Sequence, residues 1–84
     1  MLTDDQLDEM DKSGRSYPRT IDNLVRALKI LETLTDRKEY LIQGEHDELF
    51  VWAGPPISDE QQIELDRLGF RYDSDLENSW RMYT

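Results

Sequence analysis

Cysteine is absent from the 84 residues, and histidine occurs once, as His46. The missing cysteine excludes a disulfide framework, a thiolate nucleophile and a zinc–thiolate centre. Long apolar runs are missing too: none approaches the roughly 20 residues that span a bilayer. The opening MLTDDQLDEM is acidic, where a secretory leader starts basic and turns apolar. The cytoplasm is therefore the expected compartment, with no membrane segment. Glycine is sparse, and the one Gly-Pro-Pro stretch, AGPP, lacks the successive backbone N–H groups of a phosphate-cradling loop. No internal repeat or low-complexity tract interrupts the chain.

What the chain does have is acid. Nineteen Asp and Glu against ten Lys and Arg give a net charge of −9. The imbalance is uneven. Residues 1–11 hold five acids and no base, residues 12–38 seven bases and three acids, and residues 39–84 eleven acids and three bases. Duplex nucleic acid is bound by neutralising its phosphates, so a surface this acidic disfavours direct binding. It could imitate phosphates instead. Two Trp, four Tyr and two Phe supply enough apolar bulk for one small core.

LTDDQLDEM reads as a short helix, with Thr3 and Gln6 as a capping box and Leu2 and Leu7 as a hydrophobic staple. Few apolar residues follow, so its anchorage is weak. KSGRSYPR breaks it. The clearest helix is TIDNLVRALKILETLTDRK, where Ile21, Leu24, Val25, Leu28 and Leu31 recur at helical spacing and Ala27, Ile30 and Leu34 widen the stripe. Thr20 is its N-cap, and Arg37 and Lys38 suit the negative end of its dipole. EYLIQ and ELFVWA then read as a hairpin around residues 44–47, with Gln43 facing Glu48, Ile42 facing Leu49 and Tyr40 facing Val51. ISDEQQIELDRLGF is a further helix, capped by Ser58 and Gln61 and stopped by Gly69 in a Schellman arrangement that sets Phe70 on Leu65. FRYDSDLENSWRMYT closes the chain as a second hairpin. The expected fold is α+β: a four-stranded, mostly antiparallel sheet with two main helices on one face, in the order α–α–β–β–α–β–β. Residues 1–19 form a short helix and linker, and residues 20–84 a single compact domain.

The tail SDEQQIELDRLGFRYDSDLENSW, with EHDELFV before it, resembles small phage and mobile-element proteins that end in a helix, Leu-Gly-aromatic, an acidic turn and a Trp-bearing strand. His46, Asp47, Leu68, Gly69, Phe70, Asp73 and Trp80 carry the resemblance, over residues 45–84. It implies a compact α+β fold and a phage-type origin, and no reaction.

Three motifs invite chemistry and fall short of it. Glu45, His46, Asp47 and Glu48 offer metal-ligand types, but neighbours at a hairpin tip splay apart and no second His or Cys completes a site. General acid–base use of His46 needs a pocket that a tip lacks. DSDLE begins like a calcium loop, yet Asn78 stands where the loop needs Gly and Thr84 where it needs a bidentate acid. No cofactor, metal or catalytic residue is assigned, and the expected protein is not an enzyme.

Two surfaces remain. Glu45, Asp47, Glu48, Asp59, Glu60, Glu64, Asp66, Asp73, Asp75 and Glu77 could align as a phosphate-like array for a nucleic-acid-binding protein, or serve only as a solubilising surface. On the sheet face away from the helices, Phe50 and Trp52 join Arg71, Arg81 and Tyr83, residue types favoured at interfaces. A protein-interaction module acting by occlusion is the preferred reading. A structural or regulatory homodimer burying Phe50 and Trp52 is the alternative, and a sheet-based nucleic-acid binder is weaker still. Arg26 and Lys29 of the basic segment can pair along their own helix with Asp22 and Glu32.

Overall fold

A computed structural model describes residues 1–12, 16–36, 41–45, 47–73 and 78–83. Three helices, α1 (Asp4–Asp11), α2 (Ile21–Glu32) and α3 (Asp59–Arg67), accompany four strands, β1 (Ile42–Glu45), β2 (Glu48–Val51), β3 (Arg71–Asp73) and β4 (Ser79–Tyr83). The element order is α–α–β–β–α–β–β, and the class is α+β. The sheet runs β1-β2-β4-β3, and each neighbouring pair is antiparallel.

Side chains alternate across a strand, so the pairing register assigns the faces. Ile42, Val51, Trp80 and Tyr72 form one cross-strand row, and Gly44, Leu49 and Met82 a second on the same side. Ala27 and Leu31 of α2, and Leu65 and Leu68 with the following Phe70, join Val51, Ala53 and Trp80 in one buried cluster. The two main helices thus share that side of the sheet. Trp80 is the largest fully buried side chain. Its indole Nε1 donates to the Gly54 carbonyl at 2.8 Å, and its ring meets Tyr72 edge-on at 5.4 Å.

Local signals set the element ends. Thr3 and Gln6 complete both halves of a capping box, and Thr20 accepts from the Asn23 amide. At α3 only half of the expected box forms. The Ser58 hydroxyl accepts from Gln61 N, but the Gln61 side-chain Oε1 accepts from Ile57 N, one residue before the cap. Gly69, at φ 102°, ends α3 in a full Schellman motif: Phe70 N donates to Leu65 O at 2.8 Å and Gly69 N to Asp66 O at 3.0 Å.

Two local expectations are corrected. The first hairpin pairs Ile42 with Val51 and Glu45 with Glu48, two residues along from the expected register. A slip of two keeps each side chain on its face, where Val51 and Ala53 are buried and Ile42 is exposed. Tyr40 lies outside the described residues. The α2 helix ends at Glu32, before Leu34. There the Thr33 hydroxyl donates to Ile30 O at 2.6 Å, and Gly54 N claims the Leu34 carbonyl at 2.8 Å. A tertiary hydrogen bond replaces the next helical one.

The first helix is held by more than its one buried residue, Leu7. Gln62, itself buried on α3, grips Leu2 through both backbone groups, and Arg71 grips Asp8 and Asp11. As α1 passes from Leu2 to Asp11 it moves along α3 from Gln62 toward Asp66, so the two helices point the same way.

Candidate functional site

The far face of the sheet starts from the row Gln43, Phe50, Arg81 and Arg71, flanked by Glu48 opposite Tyr83 and by Asp73 opposite Ser79. Arg81 therefore lies diagonally between two carboxylates on neighbouring strands. Its guanidinium is 3.1 Å from Asp73 and 3.7 Å from Glu48. Phe50 is half-buried against this charged row. The expected open aromatic–arginine platform is instead a neutralised seam.

Arg71, at the β3 edge, organises a second cluster. Its Nε meets Asp66 Oδ1 at 2.9 Å, and its Nη2 meets Asp8 at 2.7 Å and Asp11 at 2.9 Å. Three carboxylates thus surround one guanidinium. Burial alone would lower the Arg71 guanidinium, but hydrogen bonds to Asp66 and Asp8 outweigh it and raise it above its ordinary value. Burial pushes the Asp66 carboxyl up from 3.8 to about 6, helped by its hydrogen bond with Asp11 and opposed by Arg71.

A third cluster joins the linker to both main helices. Arg26 of α2 pairs with Glu64 Oε1 of α3, Tyr17 donates to Glu64 Oε2 at 3.3 Å, and the Arg26 guanidinium stacks 5.4 Å from the Tyr17 ring centre. The Tyr17 amide also donates to Arg67 O.

The ten candidate acids therefore part company. Glu64, Asp66, Asp73 and Glu48 face arginines inside the fold. Asp59 and Glu60 are exposed in the first turn of α3, and Asp47 is exposed at the first hairpin. Glu45 closes the β1 ladder opposite Glu48. Asp75, Glu77 and His46 lie outside the described residues. Of the aromatic set, Tyr83 pairs with Glu48 in the ladder, and half-buried Trp52 lies beyond β2, its amide donating to Leu41 O. Trp52 lines a cleft of about 510 Å³ with Leu34, Thr35, Asp36 and Asn78, apart from the Phe50–Arg81 row.

Sequence reasoning passed over Gln62, Asp8 and Asp11, which hold α1 to α3 and β3. A signal existed: Gln62 and Asp66 sit one turn apart on α3, and Asp8 and Asp11 share a face of α1. Neither spacing says that the two faces meet.

A cleft of about 340 Å³ opens beside α1, lined by Arg19, Arg67, Arg71 and Arg81 but also by Asp4, Asp11, Asp66 and Asp73. Four guanidiniums face four carboxyls, so the cleft offers an anion no net attraction. Among the described residues, no group of three His, Asp or Glu is placed to hold a metal ion, and no helix is long and apolar enough to cross a membrane. No family model, curated protein or solved structure matches this chain.

Proposed function

We propose that this protein is a non-enzymatic interaction module that occludes a basic surface of a partner protein. The observation that carries the reading is the disposition of charge. Among the described cations, Lys12, Arg26, Lys29, Arg71 and Arg81 each face a carboxylate of the same chain. The surplus acid points outward, and much of it gathers where the first turns of α1 and α3 lie side by side. Asp4, Asp5, Asp59 and Glu60 are exposed there. Such a surface steers a positively charged partner and repels nucleic acid. In its sharper form the module mimics nucleic acid and occupies the channel of a DNA- or RNA-binding host protein, a role suited to a phage-type origin.

The test is a tagged pull-down from a bacterial lysate at about 50 mM and about 300 mM salt, since screening weakens exposed charge pairs over that range. The comparison protein carries Asp4→Asn, Asp5→Asn, Asp59→Asn and Glu60→Gln, which removes charge and gives up one exposed ion pair, that of Asp59 with the Met1 ammonium. Partners that handle nucleic acid, lost at the higher salt and lost by the variant, support the reading. An identical set of captured proteins for both chains removes it.

A homodimer is a second reading, and the exposed apolar residues Ile21 and Val25, one turn apart on the outer face of α2, favour it. On this geometry the dimer contact involves α2 rather than Trp52. Val25→Glu then converts a concentration-dependent dimer to a monomer in light scattering; a monomer at every concentration before the change rules this reading out.

A further inference from the structure

We propose that β1 is a self-pairing edge, through which two copies of this chain join their sheets into one continuous antiparallel sheet. The phase of the first hairpin carries the argument. Trp52 N donates to Leu41 O at 2.8 Å, which makes Leu41 and Trp52 a hydrogen-bonded pair. Such pairs alternate along an antiparallel ladder, so Gln43 with Phe50 and Glu45 with Glu48 are hydrogen-bonded pairs as well. Residues 41, 43 and 45 thus turn their backbone groups toward β2. Ile42 and Gly44 turn theirs outward, and β1 is the last strand of the sheet. Both residues are exposed, and among the described residues their outward N–H and C=O groups meet no partner.

The side chains fit the same contact. Ile42 shares a cross-strand row with fully buried Val51 and Trp80, yet at the open end of that row it is 51 % exposed. Gly44, on the same face, is bare: a Cβ there would meet nothing within 4 Å among the described residues. A two-fold axis at Gln43 sets Ile42 of each copy opposite Gly44 of the other. Both become hydrogen-bonded pairs that exchange two N–H···O bonds each, and each isoleucine lies over an open glycine. An axis at Ile42 or at Gly44 pairs only that residue and leaves the other without a mate in β1.

Charge selects the occupant. Leu41, Ile42, Gln43 and Gly44 are uncharged, so the edge offers a basic segment no carboxylate of its own and offers a second copy no repulsion. Edges that must stay unpaired are guarded by Lys, Pro or a bulge, and β1 has none of these. The same patch meets itself, as a closed two-fold contact requires. This contact is separate from the α2 face of Ile21 and Val25 and needs no partner protein.

Amide hydrogen exchange of the whole chain at about 20 μM and about 1 mM tests this by mass action. The Ile42 and Gly44 amides are expected to slow about threefold at the higher concentration, with Leu31 in the buried core unchanged. Their protection is expected to grow from about 50 mM to about 300 mM salt, because an uncharged contact joins two chains of −9 each. Capture of a basic partner moves the other way with salt, so the two readings fail separately. Gly44→Pro removes the outward N–H and spares the β1–β2 bonds, and Gly44 has no positive φ to conflict with proline. In that variant the Ile42 amide is expected to exchange equally fast at both concentrations. Should it fail to fold, Ile42→Lys, at an exposed side chain, takes its place, read at the Gly44 amide. Ile42 and Gly44 amides that exchange alike at both concentrations overturn the proposal. So does protection that survives the substitution, or a dimer that Val25→Glu dissociates while these amides stay open.

Discussion

Gln62 and Leu2 hold each other by two hydrogen bonds across 60 residues of sequence: Leu2 N donates to Gln62 Oε1 at 2.7 Å, and Gln62 Nε2 donates to Leu2 O at 2.9 Å. The amide side chain copies one rung of a strand ladder and satisfies a backbone that precedes α1. Because Gln62 is almost wholly buried, its replacement leaves the Leu2 groups without their partner or floods the contact with water. Gln62→Ala is expected to cost about 1–3 kcal/mol in urea unfolding and to lower exchange protection at Leu7 more than at Leu31. Equal loss at both sites would show that Gln62 supports the core rather than the docking of α1.

Trp80 joins the two hairpins to the segment after β2. Replacing it with Phe keeps most of the apolar contact but strands the Gly54 carbonyl, for an expected loss of about 1–3 kcal/mol. Replacing it with Ala removes the ring from the centre of the core and is expected to cost about 3–5 kcal/mol or to prevent folding. If Trp80→Phe and Trp80→Ala unfold at the same urea concentration, the indole ring is not the keystone of the core.

Gly69 tests the α3 terminus. A side chain there would meet Arg19 and Met82 at 3.5 Å, an ordinary contact, so space is available. The backbone angle of 102° is the obstacle, since a side chain disfavours it. Gly69→Ala is expected to lower stability by about 1–2 kcal/mol without changing the fold, as read by thermal unfolding with an unaltered far-ultraviolet spectrum. A neutral result would mean that α3 can end without the left-handed residue.

Much of the fold was legible because it rests on neighbours in sequence. Thr3 with Gln6, Thr20 with Asn23, and Gly69 with Phe70 are motifs of three to six residues, and each formed where its spacing predicted. The half-formed box at Ser58 shows the limit: Gln61 had two nearby amides to choose from, and pattern alone does not rank Ile57 N against Ser58 N. Strand alternation likewise predicted which side of each strand is buried. It missed the hairpin register by two residues, since both registers place the same side chains on the same face.

The site was legible in composition and not in arrangement. An acidic residue on an exposed helix turn and one buried beside an arginine look alike in sequence; Glu60 and Asp66 differ only in which side of α3 they occupy. The sequence by itself determined the helices and their caps, the two amphipathic hairpins and a surplus of nine negative charges, because all of these follow from local chemistry and counting. Tertiary structure alone decided that α1 docks, that Arg71 and Arg81 turn their charge inward, and that burial pushes the Asp66 carboxyl up to about 6. The reason is physical: an ion pair or a shifted carboxyl depends on distance and on excluded water, and both are set only when elements far apart in the chain pack together.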